Sequence, residues 1–302
     1  MTQDRALGAL LGLAVGDALG MPVEGLSHQN VRLYYKGIKE YRADEKRGEL
    51  AAGQWTADTQ RALALAHALA AHPDDAEAAH ALFAAGLDRL VLRRDRATPH
   101  APHAVAAVSA VPLGVAWAAQ GWDEREAFRW VRTFFADEHA ETQAAAYGQA
   151  FAVHVVLGSV LEPEDGRLFV EDVAEEVEEA EDLLGGDRRV SARLHALASH
   201  LDETPLDLRD RVGGSGPAAD EAFPFALAMF ARNPALVEGT LLAAVNVGGD
   251  ANTVGALVGA LLGAHVGWAA FPDAWKAGLE ESARLEGEAA TLLGALDVGG
   301  AT

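Results

Sequence analysis

Two short runs of oxygen-bearing side chains, far apart in the chain, open helical segments built from small residues. They are Thr56, Asp58 and Thr59 in GQWTADTQ, and Asp250, Asn252 and Thr253 in VGGDANTVG. Taken singly, each reads as an N-cap, because Thr, Asp and Asn at a helix start accept from its free N–H groups. Capping does not account for so many oxygens beside a buried helix end. Two such openings that converge would form an oxygen cage suited to a hard cation or an anionic ligand. Asp17 and Glu24 in GLAVGDALGMPVEG are acids in an apolar neighbourhood that could join it. Alone, Asp17 reads as a helix cap and Glu24 as a solvated loop acid.

Histidines add less. His100 and His103 in TPHAPH have H-x-x-H spacing, but Pro99 and Pro102 prevent the regular helix that a two-histidine zinc site uses. His139 stands before a helix between Glu138 and Glu141, where an isolated histidine is ordinarily a surface residue.

The element that must position the second run is the stretch from Val247 to Gly267. Gly255, Gly259 and Gly263 recur along it every four residues, so one side carries almost no side-chain bulk and another backbone can approach closely. A helix-interior glycine costs about 1 kcal/mol relative to alanine, so such a row needs a packing reason. The first run opens a core helix over Gly53 to Leu69. Ahead of it, a helix over Asp4 to Ala14 is predicted to run into a tight loop at Gly16, Gly20 and Gly25, followed by a polar excursion from Tyr34 to Gly53. Further helices are predicted over Ala76 to Leu92, Val105 to Ala119, Asp123 to Ala136 and Glu141 to Val160. An acidic amphipathic helix lies within Leu161 to Asp187, and Val173, Val177 and Leu184 form its apolar side. Ser191 to His200, Asp220 to Ala231, Pro234 to Asn246 and Phe271 to Glu286 complete the pattern, with a polar loop through VGGSGPAADEAF. No linker divides the chain. It reads as one all-α domain over 1–302, with 297–302 a loose tail.

Composition narrows the chemistry. Half of the 302 residues are hydrophobic and only 7% aromatic, and the length supports a sizeable core. The net charge of −21 argues against nucleic acid as a partner. The absence of cysteine removes thiolate catalysis, Cys-ligated zinc and disulfides together. It leaves the compartment open; a cytoplasmic location is the expectation. Ala6 to Val15 resembles a short signal-peptide core, but Asp4 offsets Arg5 and Asp17 follows at once, so it reads as a buried helix. No run approaches the roughly 18 uninterrupted apolar residues of a membrane span, and no membrane partner is expected.

With GLAVGDALGMPVEG, GQWTADTQ and VNVGGDANTVGALVGALLGA in this order, the chain resembles the ADP-ribosylglycohydrolase family. PLG at Pro112, His139 before a helix, and SGPAADEAF at Ser215 add weaker support. The resemblance implies an orthogonal helical domain of the ADP-ribosylglycohydrolase type. Its cleft would hold Mg²⁺ or Mn²⁺ and cut the N- or O-glycosidic bond of an ADP-ribosylated side chain with a metal-activated water. The partner would be an ADP-ribose-like small molecule or an ADP-ribosylated protein.

Carried over residue by residue, Thr56, Asp58, Asp250 and Thr253 match the expected metal ligands, and Glu24 matches a glutamate near the second metal. Ala57 and Asn252 stand where acids are expected. Glu24, Asp58 and Asp250 are then too few carboxylates for two divalent ions, since asparagine offers a carbonyl oxygen without charge and alanine offers nothing. The expectation is at most one ion per chain, on Thr56, Asp58, Asp250, Asn252 and Thr253. Glu24 or Asp58 would serve as acid or base, the amides of Gly248 and Gly249 would receive the diphosphate, and His139 would line the ribose side. The loops at His103 and Pro217 would set specificity. The rival expectation is a catalytically weakened relative that binds a nucleotide-like ligand or has a structural or interaction role.

Overall fold

The computed structural model describes residues 1–45, 47–94 and 101–298, and His100 lies outside them. In chain order the α-helices of five or more residues are α1 Gln3–Gly20, α2 Ala57–Ala71, α3 Ala76–Leu87, α4 Val105–Ser109, α5 Val111–Gln120, α6 Glu124–Phe135, α7 Ala140–Gly158 and α8 Gly166–Leu184. They continue with α9 Arg189–Ala198, α10 Pro205–Arg211, α11 Ala219–Ala231, α12 Val237–Val245, α13 Ala251–Val266, α14 Asp273–Gly278 and α15 Ser282–Ala295. Among the described residues there is no strand, so the protein is all-α as expected.

The glycine row of α13 meets a second row on α1, and the two helices run antiparallel. A Cβ built on Gly8, Gly12, Gly16 or Gly20 would overlap the carbonyl oxygen of Gly263, Gly259, Gly255 or Ala251 respectively. Any side chain at these places would force the backbones apart. This corrects the predicted loop at Gly16 and Gly20, which are helical glycines selected for close approach. With the extra turn Met21–Val23, α1 is long and apolar enough to cross a membrane by length and composition, which also departs from the sequence reading. It is 94% buried within the protein and serves as a core helix.

At the far end of this pair, Arg5 fastens two helix C-termini. Its Nε donates to Ala264 O at 2.7 Å, and its Nη2 to Ser159 O at 2.6 Å and to Val156 O. Trp117, Trp130, Phe223, Phe225 and Phe230 are fully buried around α7 and α11.

Three other boundaries differ from expectation for identifiable reasons. The helix expected over Val105 to Ala119 is interrupted at Ala110, because Pro112 has no N–H to continue the ladder and instead sits in the first turn of α5. The stretch expected to close the chain as one element is two helices, α14 and α15. Most consequential, α3 ends at Leu87 instead of Leu92. The chain leaves it to dock on the start of α2, where Gln60 donates to Val91 O at 3.1 Å and accepts from Arg93 N at 2.6 Å, and Ala57 N donates to Arg93 O at 2.8 Å.

Candidate active site

The C-terminal end of α1, the N-terminus of α2 and the N-terminus of α13 meet at one place. Close pairing of α1 with α13 makes this unavoidable, because Gly20 lies against Ala251. Asp17, fully buried on α1, accepts from Thr56 N at 2.8 Å, Thr56 Oγ1 at 2.8 Å, Thr59 N at 3.2 Å and Thr59 Oγ1 at 2.6 Å. It is a helix cap, but for α2 instead of its own helix. Burial pushes its carboxyl up to about 6, against the opposing effect of these hydrogen bonds.

The two oxygen runs come together on top of this. Asp58 Oδ2 accepts from Thr253 Oγ1 at 2.7 Å and from Asn252 Nδ2 at 3.1 Å, and Asn252 Nδ2 also reaches Thr56 Oγ1 at 3.3 Å. Burial first, then the nearby charges of Asp17 and Asp250, hold the Asp58 carboxyl well above the usual carboxylate range; the Thr253 hydroxyl acts in the opposite sense. Asp58, Asp250, Asn252 and Thr253 line a cleft of about 790 Å³. Ala57, Glu24, His103, Arg209, Pro217 and Gly249 line it too.

The donor set is of the kind that suits a hard cation. Asn252 Oδ1 is buried without a hydrogen-bond partner, and beside it are the carboxylates of Asp58 and Asp250 and the hydroxyls of Thr56 and Thr253. Among the described residues no group of three or more His, Cys, Asp or Glu is placed to hold an ion. An ion here would therefore depend on neutral oxygens for part of its shell, as Mg²⁺ and Ca²⁺ sites commonly do.

Glu24 already has a cation of the protein itself beside it. Glu24 Oε2 lies 2.9 Å from Arg94 Nε, and Arg94 Nη2 lies 3.1 Å from Asp44 Oδ2. The guanidinium thus lies within ion-pair distance of both carboxylates, while Glu24 also lines the cleft.

The glycine amides are also engaged. Gly248 N donates to Val245 O at 3.2 Å, Gly249 N to Leu26 O at 2.8 Å and Asp250 N to Ser215 O at 2.6 Å. Gly248 and Gly249 are in the left-handed region, and a Cβ on either would overlap Leu26 O or Ser215 O. Their role is to let three segments cross, which corrects the expectation that these amides receive a diphosphate. His103 lines the cleft, with its Nε2 3.8 Å from Glu138 Oε2. His139 is exposed and is not among the residues lining the cleft, so the structure does not bring it to the others.

Three groups at or behind the cleft wall escaped sequence reading. Arg209 comes from α10, whose start was legible as Thr204-Pro205 followed by Asp207, a capping box with proline in the first turn. Asp44 and Arg94 left no local signal, since their partners lie in other segments.

A model of the ADP-ribosylglycohydrolase family matches residues 1–301. The chain belongs to the ADP-ribosylglycohydrolase family. Among relatives of this glycohydrolase-family chain, an uncharacterized protein of Archaeoglobus fulgidus is 30% identical over 96% of both chains. The ADP-ribosylhydrolase ARH3 of Mus musculus is 30% identical over 44% of this chain and 41% of its own length. A solved structure titled "ADP-ribosylglycohydrolase-related protein complex" superposes with a TM-score of 0.70 at 28% identity, covering 97% of this chain and 98% of its own. Members of the family hydrolyse ADP-ribosyl linkages.

Proposed function

We propose that this chain hydrolyses the N- or O-glycosidic bond of an ADP-ribosylated side chain or a related ADP-ribose compound. The observation that carries the proposal is the convergence of Asp58 with Asn252 and Thr253 in a cleft of about 790 Å³, a size suited to a dinucleotide-like ligand. Cleavage at an anomeric carbon passes through an oxocarbenium-like state, in which positive charge develops on the sugar. Asp58 and Asp250 would stabilise that charge with the ribose against them. Thr56, Asp58, Asp250, Asn252 and Thr253 would hold one Mg²⁺ or Mn²⁺, which when bound supplies Lewis-acid polarisation of sugar or water oxygens. With the glycine amides engaged, Arg209, His28 and His103 of the cleft lining are the groups suited to the diphosphate.

The second reading is a relative that binds a nucleotide-like ligand without cutting it. Ala57 favours it, since this residue lines the cleft and offers no donor side chain. Release of ADP-ribose from arginine- and serine-linked peptides, with Mn²⁺ or Mg²⁺ and with chelator, separates the two. Metal-dependent release that Asp250→Ala lowers by about 100-fold or more is the expected result. Binding of ADP-ribose with no release from either peptide would replace the hydrolase reading with the second one.

A further inference from the structure

Arg94 is an unusual residue to find in the wall of an acidic cleft. Its side chain is 2% exposed, between Glu24 at 7% and Asp44 at 1%. Its Nη1 donates to Met21 O at 2.9 Å, directly after α1. A second guanidinium completes the group: Arg47 Nη2 donates to Glu24 O at 2.8 Å, and its backbone N–H to Asp44 Oδ1 at 3.2 Å. The Arg47 guanidinium lies 4.0 Å from Asp44 Oδ2, and Arg94 Nε also lies 3.7 Å from the more exposed Glu49 carboxylate. Arg94 cannot readily withdraw, because the preceding residue is tied to α2 through Ala57 N and Gln60. Its own backbone is in the left-handed region at φ 53°, a conformation that a side-chain-bearing residue adopts only under constraint.

Removing a guanidinium and its partners from water is costly, and a buried ion pair of this kind is seldom retained for stability alone. A divalent ion on Glu24 and Asp44 would have to displace Arg94 or stand beside its charge. We infer that Arg94 is a fixed, protein-borne cation that holds Glu24 at the cleft wall and takes the place of a second exchangeable metal ion. It is a positioning residue acting through Glu24. The inference rests on the one-ion reading of the Asp58 and Asp250 side, and the test below can fail for either separately.

The test counts Mn²⁺ by equilibrium dialysis, with electron paramagnetic resonance of the free ion as a check. Wild type, Arg94→Ala, Arg94→Lys and the double variant Arg94→Ala with Glu24→Gln are compared, with thermal melts in chelator and in Mn²⁺. One ion is expected on wild type and on Arg94→Lys, two on Arg94→Ala, and one again on the double variant. Arg94→Ala should also gain more in melting temperature from Mn²⁺ than wild type does. Should Arg94→Ala unfold in chelator, recovery of its fold in Mn²⁺ is the same result, and Arg94→Gln carries the same expectation. Equal counts on wild type and Arg94→Ala, or failure of both neutral variants to recover in Mn²⁺, would overturn the inference. A count of two on wild type would do so too. A count of zero on wild type with a gain on Arg94→Ala would instead refute the one-ion reading and leave the role of Arg94 standing.

Discussion

Two groups of acids share one cleft and are treated in opposite ways. Glu24 and Asp44 both lie within ion-pair distance of Arg94, and Asp44 also of Arg47. Asp58 is surrounded by neutral donors and by other acids, so that burial and the charges of Asp17 and Asp250 work against its ionisation. The first group is complete as folded. The second is an arrangement that gains from an added cation, which is the property a binding site needs and a structural ion pair lacks.

The contrast can be broken most forcefully on the matched side. Arg94→Ala leaves two buried carboxylates without their main partner, and in chelator this should cost about 3–5 kcal/mol in urea unfolding. A cost below about 1 kcal/mol would mean that the guanidinium does not neutralise Glu24 and Asp44 as described.

On the unmatched side, acids can be added. Ala57→Asp together with Asn252→Asp should destabilise the chain in chelator by about 2 kcal/mol through crowding of like charge, and Mn²⁺ should restore the loss. Thermal melts with and without metal check both parts. Neither single change should restore metal affinity fully, since residues serving one site act non-additively.

The same contrast can be sharpened with Asp58→Asn, which keeps an acceptor for Thr253 and removes the charge. In folded protein without metal the Asp58 carboxyl is raised, so it holds its proton at pH values where the unfolded chain has lost it. The folded state then binds more protons, and this group makes stability fall as pH rises above the ordinary carboxylate range. Asp58→Asn should therefore remove part of that fall. In chelator it should match wild type near pH 4 and exceed it at pH 8. Urea titrations at the two pH values measure it, and identical slopes with pH would contradict it.

Much of the unmatched side was legible in the sequence and almost none of the matched side. Thr56, Asp58, Asn252 and Thr253 each stand at a helix start, a local feature that residue type and spacing reveal. The α13 glycines likewise announced a close backbone partner. Gly16 and Gly20 were misread because glycine serves both turns and close helix packing, and the sequence does not show that Gly255 and Ala251 lie opposite. Arg94 and Asp44 look like surface charges in polar segments. Only the docking of residues 91–94 on α2 brings Arg94 inside, through Gln60 and Ala57, neither of which signals such a role. The engaged amides of Gly248 and Gly249 were equally hidden, because their acceptors Val245 and Leu26 are fixed by the way three segments cross.

The most direct measurement of this division is Mn²⁺ bound per chain in Asp250→Ala and in Glu24→Gln, against wild type at near-neutral pH. One ion on wild type, none on Asp250→Ala and one on Glu24→Gln is the predicted outcome, because Asp250 belongs to the side that lacks a cation and Glu24 to the side that already has one. Loss of the ion in Glu24→Gln with retention in Asp250→Ala would contradict the account, placing the metal on the side assigned here to Arg94.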